Sequence, residues 1–297
     1  MTRVAAPADD AGVRALIRLA LAEDVGSGDL TTRATVARTT QARGRVVARQ
    51  SLVVAGMGLL DAIIEELARL GEAGAGASSL RVSERVGDAT QAAAGSTLCV
   101  VDGDAWGVLT LERTFLNFLG HLSGVATETA RVVAAVRAAG CATRILDTRK
   151  TTPGWRLLEK YAVRCGGGSN HRMGLFDAVL IKDNHIVAAG GIAEAVRAAL
   201  ARSPAGVKIE AECDTMEQVA IALDAGATSL LLDNFTPDAV AEAVRFVAGR
   251  AEVEVSGGVT METVVAYAKA GPDSISLGRL THSARAADVA MDVALLA

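Results

Sequence analysis

Aromatic residues are scarce in this chain of 297 residues, at 3 % of the total, although hydrophobic residues reach 51 %. Aliphatic side chains must therefore fill the core, and a surface on which nucleic-acid bases stack against aromatic rings is disfavoured. Net positive charge is lacking as well, since the formal net charge is −4. Binding to nucleic acid is thus not expected to be the main role.

Paired cysteines and uninterrupted apolar runs are also missing. The four cysteines include no C-x-x-C pair, and we interpret them as reduced thiols of a cytoplasmic protein. The most apolar window, residues 52–70, carries Asp61, Glu65 and Glu66, so we expect no membrane span. A basic and then apolar leader is not found, which predicts no signal peptide.

Positive charge is nonetheless concentrated in one stretch, from Arg144 to His185. Eight lysine and arginine residues and four acids lie there, which gives this stretch a charge of +4 and leaves −8 for the remainder. Basic charge gathered on an otherwise acidic protein predicts a small, localised anion site.

The first part of the chain mixes helix and strand signals. Apolar residues recur at helical spacing from Val13 to Leu21 and from Leu59 to Leu70, and strand-like runs cover residues 41–50, 80–86 and 97–101. Such a mixture is typical of an α+β sandwich.

A different pattern begins near Asp104. Two helices are expected, one around Trp106 to Leu119 and another over Thr127 to Ala139, with Gly140 as its C-terminal cap. Strands then alternate with helices, as in parallel βαβ units. The candidate strands are Arg144–Asp147, Ala178–Lys182, Val207–Glu212, Ser229–Asp233, Glu252–Val255 and Ser274–Leu277. The later helices are expected at Ile192–Arg202, Met216–Ala225, Asp238–Ala248 and Met261–Ala270.

Polar residues stand where these strands end. Lys182, Glu212 and Asp233 each close an apolar strand. Function at the carboxyl ends of successive parallel strands favours an α/β barrel over a flat open sheet. The loops after the last two strands, Ser256-Gly257-Gly258 and the stretch from Gly278 to His282, have the composition of a phosphate site.

Several of these residues leave more than one chemical role open. Arg149 and Lys150 suit a carboxylate or a phosphate, and the pair His171-Arg172 after three glycines suggests a substrate-gripping loop. Lys182 could be a charge clamp or a Schiff-base nucleophile. Glu212 and Asp233 could bind Mg²⁺ through water, hold ribose hydroxyls or pair with Lys182. Together these residues predict a substrate with several negative charges, including a phosphate.

Ordered motifs along nearly the whole chain resemble those of the quinolinate phosphoribosyltransferase family. The motifs are Glu23-Asp24-Val25-Gly26-Ser27-Gly28-Asp29-Leu30-Thr31-Thr32, Glu112-Arg113-Thr114, Leu122-Ser123-Gly124-Val125-Ala126-Thr127, Asp147-Thr148-Arg149-Lys150-Thr151-Thr152-Pro153-Gly154, Gly166-Gly167-Gly168 with Asn170-His171-Arg172, Ile181-Lys182-Asp183-Asn184-His185, Leu232-Asp233-Asn234-Phe235, Ser256-Gly257-Gly258 and Thr281-His282-Ser283.

The resemblance implies an α/β fold in which an N-terminal α+β sandwich, expected over residues 1–112, precedes an open, TIM-like barrel of seven strands, expected over 113–283. One strand more than the six identified above is therefore anticipated. A C-terminal helix over 284–297 would pack back on the first domain.

The implied reaction transfers phosphoribosyl from phosphoribosyl pyrophosphate to quinolinate with decarboxylation, in NAD biosynthesis, with Mg²⁺ as cofactor. Lys150, Lys182, Glu212 and Asp233 would be catalytic. The carboxylates and phosphates of the substrates would be held by Arg113, Arg149, Lys150, His171, Arg172 and Lys182. Glu212 and Asp233 would hold ribose hydroxyls or the metal. The 5′-phosphate would be bound by Ser256, Gly257, Gly258, Gly278 and His282.

The family also implies a homodimer in which Arg113 enters the neighbouring site. Three alternatives remain: a molybdenum-transport-associated paralogue, a Schiff-base aldolase using Lys182, and a non-catalytic protein that binds a phosphorylated ligand. Retention of the Lys182 to His185 run argues against the first. Val255, Trp155 and Arg279 depart from the common family pattern.

Overall fold

The structure, a computed structural model, describes residues 4–296. They form two compact units. The first comprises the described residues up to Ala130, Thr151–Gly167 and the residues from Thr281 onward, and the second comprises Arg131–Lys150 and Gly168–Leu280. Within residues 4–296, no helix is both long and apolar enough to cross a membrane.

Strands and helices are numbered here in chain order. The strands are β1 Gln41–Ala48, β2 Leu52–Val53, β3 Arg81–Ser83, β4 Gln91–Ala92, β5 Thr97–Asp104, β6 Arg144–Leu146, β7 Val179–Ile181, β8 Ile209–Cys213, β9 Ser229–Asp233, β10 Glu252–Ser256, β11 Ser274–Ser276 and β12 Val289–Leu295. The α-helices are α1 Ala11–Val25, α2 Leu30–Thr35, α3 Leu60–Ala68, α4 Ala105–Ala138, α5 Arg156–Cys165, α6 Asp183–Ala189, α7 Ile192–Arg202, α8 Met216–Asp224, α9 Pro237–Val247, α10 Val264–Lys269 and α11 Arg279–His282.

The first unit contains an antiparallel sheet in the order β12-β1-β5-β3 and a small β2-β4 pair. The predicted first helix is confirmed as α1. Its N-terminus is capped by Asp10, which accepts hydrogen bonds from two backbone amides, and Ile17 and Leu21 are fully buried along its apolar face. The α+β character predicted for this part of the chain is therefore confirmed.

The helix predicted over 284–297 is wrong for the described residues, and Ala297 lies outside them. Residues Val289–Leu295 form β12, which pairs antiparallel with β1 in the first unit. Alanine and leucine favour a helix locally, but β1 offers an edge whose hydrogen bonds this strand completes. Met291 stands opposite Val46 and packs over Gly44, where a Cβ atom would meet the Met291 side chain.

Helix α4 is a second correction, because it runs unbroken for 34 residues where two helices were expected. Glycine is unfavourable inside a helix, and Gly120 and Gly124 lie between the two expected helices. Both are needed for close packing instead: a Cβ atom on Gly120 would lie 3.0 Å from the Ala287 carbonyl oxygen, and one on Gly124 would overlap that of Arg285. Gly140 has a φ of +74°, as expected of a helix-terminating glycine.

The second unit is built on a parallel sheet in the order β6-β11-β10-β9-β8-β7. All six strands were predicted, with their ends placed to within two residues. The first strand lies beside the last, so the sheet curls as in a barrel, with β6 and β7 as its two end strands. A single parallel bridge joins Leu146 to Ser169 on the free side of β6. The seventh strand implied by the resemblance is reduced to this bridge, and the barrel is open between Ser169 and β7.

Candidate functional site

The carboxyl ends of the parallel strands gather the predicted polar residues of the second unit at one edge. Asp147 directly follows β6, Lys182 follows β7, Glu212 is the penultimate position of β8, and Asp233 and Ser256 close β9 and β10. Parallel strands end on the same side of a sheet, which is where barrel enzymes place their chemistry.

Lys182 is held by an acid of the neighbouring strand. Its Nζ donates a hydrogen bond to Glu212 Oε2, and the lysine side chain keeps 45 % of its exposure. Pairing with Lys182 was one of the three roles open to Glu212. A Schiff-base lysine needs a neutral amine, usually in an apolar pocket, and an ammonium group bonded to a carboxylate at the solvent boundary fits a charge clamp better.

The segment from Asn170 to Arg172 is anchored by Asp147, which is fully buried. The Asp147 carboxylate accepts hydrogen bonds from the Asn170 side-chain amide and from the His171 backbone amide, the latter at 2.9 Å. The bridge between Leu146 and Ser169 brings the two segments together. Sequence reasoning noted Asp147 only as the end of a strand and missed this anchoring role.

Arg149 and Arg172 form an arginine pair within this unit. The Arg172 Nη1 donates to the Ala178 carbonyl oxygen at 3.0 Å, whereas its buried Nε has no hydrogen-bond partner among the described residues. Burial and the nearby positive charge of Arg149 lower the pKa of Arg172. Two guanidinium groups brought together in this way repel each other until an anion lies between them.

The loop after β10 has the backbone expected of a phosphate site. Gly257 and Gly258 have φ values of +88° and +60°. A Cβ atom on Gly257 would overlap the Asn234 side chain, whereas one on Gly258 would meet no atom within 4 Å. Glycine is therefore required at position 257 both for its backbone conformation and for its close approach to Asn234.

Two family models match the chain. The model described as quinolinate phosphoribosyl transferase, N-terminal domain, matches residues 29–123, and that of the C-terminal domain matches residues 125–292. The chain belongs to the quinolinate phosphoribosyltransferase family.

Named relatives agree with this assignment. The chain is 42 % identical over 284 residues to the nicotinate-nucleotide pyrophosphorylase (carboxylating) of Mycobacterium leprae, covering 94 % of this chain and 96 % of that protein. It is 39 % identical over 273 residues to the probable nicotinate-nucleotide pyrophosphorylase (carboxylating) of Bacillus subtilis, covering 92 % and 90 %. The structure of the nicotinate-nucleotide pyrophosphorylase from Francisella tularensis superposes with a TM-score of 0.88 at 36 % identity, covering 99 % of this chain and 100 % of that one.

Not every residue matched to the quinolinate phosphoribosyltransferase family lies in the barrel unit. Arg113, on α4, and His282, at the end of α11, belong to the first unit. Arg113 is exposed. His282 Nδ1 lies 2.6 Å from the Ser283 hydroxyl. The remaining predicted site residues all belong to the second unit: Arg149, Lys150, His171, Arg172, Lys182, Glu212, Asp233, Ser256, Gly257, Gly258 and Gly278.

One departure from the family pattern now has a local explanation. Trp155 stacks on Phe118, with ring centroids 4.7 Å apart, and meets the edge of His121. His121 Nε2 in turn lies 2.9 Å from the buried Glu159, whose other oxygen accepts from the Thr152 amide at 3.1 Å. The tryptophan therefore belongs to a packed cluster of the first unit. Val255 is buried in β10 and Arg279 begins α11; nothing in the structure explains why these two residue types were chosen.

Two further acids of the barrel escaped the sequence analysis. Glu210 and Glu254 are almost fully buried, and one oxygen of each forms, with a nitrogen of His171, a group whose atoms lie within 4.8 Å of one another. Burial and the charge of Glu210 raise the pKa of Glu254 to about 7. The signal was present in the sequence: Glu210 and Glu212, like Glu254 and Ser256, are two apart on a strand, so both members point to one face.

Proposed function

We propose that this protein transfers the phosphoribosyl group of phosphoribosyl pyrophosphate to quinolinate with decarboxylation, and so serves de novo NAD biosynthesis. The names of its relatives support this reaction, as does one observation of the site. The arginine pair suits a multiply anionic substrate such as quinolinate, because the buried Arg172 Nε has no hydrogen-bond partner in the part of the chain that the structure describes.

The reaction has two parts that such a site can promote. The ring nitrogen of quinolinate forms a bond to C1 of the ribose while the bond to pyrophosphate breaks, and the positive charge that develops on the sugar is stabilised by nearby carboxylates. The adjacent carboxylate then leaves as CO₂, its bonding electrons remain on the ring carbon beside the now cationic nitrogen, and that carbon takes up a proton. Positioning and electrostatics would supply most of the rate enhancement.

The residues at the strand ends are expected to bind different parts of the two substrates. Arg149, Arg172, Lys150 and Lys182 would bind the carboxylates and phosphates. Glu212 and Asp233 would face the ribose and its developing charge. The glycine loop after β10 offers backbone amides to the 5′-phosphate, with Gly278 and His282 as further predicted phosphate contacts.

Mg²⁺ fits the donor set that Glu212 and Asp233 provide. They lie at the ends of neighbouring strands, where Glu212 stands beside Leu231, two positions before Asp233, and hard cations prefer carboxylate and water oxygens. Glu212 already neutralises Lys182 and Asp233 accepts from the Asn234 side chain at 2.7 Å, so contact through water is the simpler arrangement. When bound, the ion would neutralise charge on the pyrophosphate group.

We further propose that the protein is a cytoplasmic homodimer in which Arg113 completes the partner's site. The exposed position of Arg113 leaves its guanidinium available to another chain. If Arg113→Ala and Lys182→Ala proteins are mixed under conditions of subunit exchange, random pairing should restore about a quarter of the wild-type sites. Absence of any recovery, with exchange demonstrated by mass-tagged subunits, would count against a shared site.

The experiment that tests the reaction is direct. Purified protein, quinolinate, phosphoribosyl pyrophosphate and Mg²⁺ should yield nicotinate mononucleotide and CO₂ in equal amounts. Folded protein that forms neither product would contradict the proposal. Nicotinate in place of quinolinate is the control: if it reacted equally well, the second carboxylate would have no role in recognition.

A further inference from the structure

A second layer of polar residues lies inside the barrel beneath the strand ends. Because side chains alternate along a strand, Glu210 points to the same face as Glu212 and lies one layer below it. Glu254 stands in the same relation to Ser256. Glu210 and Glu254 retain 2 % and 1 % of their exposure. Buried carboxylates are costly unless they are bonded, so each needs an explanation.

Glu210 is well supplied with partners. Its Oε1 accepts from the Ser229 hydroxyl at 2.8 Å and lies 3.5 Å from Lys208 Nζ, and its Oε2 lies 3.1 Å from His171 Nε2. The Ser229 hydroxyl donates to this carboxylate and the Lys208 ammonium group lies beside it. Glu210 is therefore the hydrogen-bond acceptor of the cluster.

The other nitrogen of the His171 ring fixes the direction of these bonds. The Arg172 backbone N–H donates to His171 Nδ1 at 2.7 Å, so Nδ1 carries a lone pair. The proton of the neutral ring must then be on Nε2, which donates it to Glu210. The bonds form one continuous series from the Arg172 amide through the ring to Glu210.

We propose that Glu210 is a positioning residue for the arginine pair: it fixes the His171 ring, the ring fixes the main chain at Arg172, and the Arg172 guanidinium is thereby placed for an anionic group of the substrate. This inference rests on the proposed function and adds to it a residue that does not itself touch substrate. Asp147 holds the same segment from the other side through the His171 amide.

A bound metal ion is the competing explanation for the three groups. Their separations would suit one: His171 Nε2 lies 3.1 Å from Glu210 and 3.5 Å from Glu254. A ligating nitrogen, however, needs its lone pair, and the Nε2 lone pair is absent in the tautomer that the Arg172 amide selects. Lys208 also already supplies Glu210 with a positive charge. Hydrogen bonding accounts for Glu210 and His171 without an ion.

Glu254 serves as a matched control, because it is equally buried and close to the same ring nitrogen. Its two oxygens have no hydrogen-bond partner among the described residues. We would compare Glu210→Met with Glu254→Met, since methionine keeps the length of the side chain but removes the acceptor, and both with the corresponding glutamine variants. Lys208 retains Glu252, at 3.1 Å, when Glu210 is replaced.

Two readouts are needed. Calorimetric titration with quinolinate and, separately, with phosphoribosyl pyrophosphate would show which ligand Arg172→Ala loses. Glu210→Met should raise the Kd of that same ligand by roughly tenfold. Glu210→Gln keeps an acceptor oxygen, and its Kd, like that of Glu254→Met, should stay within about threefold of the wild-type value. Equal losses in the two methionine variants would overturn the proposal.

Nitrogen-15 NMR of the His171 ring tests the inference without any substrate. The wild-type ring should show a protonated Nε2 and an unprotonated Nδ1, and Glu210→Met should convert it to a mixture of tautomers. A wild-type ring protonated on Nδ1, or one that shifts when EDTA removes a divalent ion, would overturn the proposal even if Glu210→Met did not fold. Failure of the wild type to bind either substrate would instead sink the proposed function, and the ring spectrum would still decide the role of Glu210.

Discussion

The charged residues on the exposed sheet of the first unit contrast with the buried polar groups of the barrel unit. On the antiparallel sheet of the first unit, acids and bases meet at the surface: Arg43 bonds both oxygens of Asp102, at 2.7 and 2.6 Å, and Arg49 lies 2.7 Å from Asp292. In the barrel unit, the Glu254 carboxylate and the Nε of Arg172 are buried and lack hydrogen-bond partners within residues 4–296. Exposed pairs contribute little to stability, whereas buried polar groups without hydrogen bonds are costly and are common near functional sites.

The largest effect should come from removing one of those buried charges. Arg172→Ala should lower kcat/KM by about a hundredfold or more, since removing a partly buried guanidinium that pairs with an anionic substrate group costs several kcal/mol. Steady-state kinetics with quinolinate would measure it. Arg43→Ala is the matched arginine of the other unit and should leave kcat/KM unchanged. Similar losses in both variants would erase the functional distinction between the two sets of charges.

Glu254 should make the stability of the protein depend on pH. Its pKa in the folded protein is about 7 against an ordinary value of 4.5, so between these values the folded state holds a proton that the unfolded state has released. Stability is therefore lost as pH rises through this interval. Relative to wild type, Glu254→Gln should gain on the order of 2–3 kcal/mol between pH 5 and pH 8.

Urea unfolding of both proteins at both pH values measures this gain as a double difference, in which the cost of the buried amide cancels. A difference that is the same at pH 5 and pH 8 would mean that Glu254 is ionised in the folded protein throughout.

The glycine loop should show a smaller, steric effect. Gly257→Ala places a Cβ atom against Asn234 at a φ of +88° and should cost roughly 1–3 kcal/mol of stability. It should also weaken phosphoribosyl pyrophosphate binding. Gly258→Ala, which meets no neighbour within 4 Å, should cost less. Thermal unfolding compares the stability of the two variants, and titration with phosphoribosyl pyrophosphate compares their affinity. A larger loss in Gly258→Ala than in Gly257→Ala would contradict the geometry.

The smallest effect is expected on the exposed sheet. Removing the ion pair with Arg43→Ala should change the free energy of unfolding by no more than about 1 kcal/mol, and 0.5 M salt should reduce that change further because it screens exposed charges. Urea unfolding at low and high salt is the measurement. A loss of several kcal/mol would show that the surface pairs of the first unit are as important as the buried charges of the barrel.

The barrel was predictable where local pattern and tertiary role agree. An apolar run that ends in Lys182, Glu212 or Asp233 predicts a buried strand and also indicates which end of it carries function. All six strands were predicted. The sequence misled where packing overrides local preference. Gly120 and Gly124 are poor helix formers, but they let α4 pack closely against the backbone at Ala287 and Arg285. The alanine-rich C-terminal stretch forms β12 because it pairs with an edge of β1 that would otherwise be open.

Other residues were missed because their roles depend on contacts remote in sequence. Asp147 and Glu210 lie 24 and 39 positions from His171, and no local pattern connects them. The family resemblance identified the cations and acids at the carboxyl ends of the strands, but not the buried acids that lie one layer below them. Alternation along β8 and β10 was the available signal, and it becomes informative only once the strands are known to face a common interior.

The pairing of β12 with β1 also has a consequence for biosynthesis. Seven residue pairs join the two strands, from Ala42 with Leu295 to Ala48 with Val289, so the partners are separated by almost the entire chain. During translation, β1 must wait as an open edge until the residues of β12 emerge from the ribosome, and the barrel segments have by then all been made. An unpaired strand edge is prone to pair with other chains. The nascent chain is therefore at risk of aggregation until β12 is available, unless a chaperone shields the edge of β1.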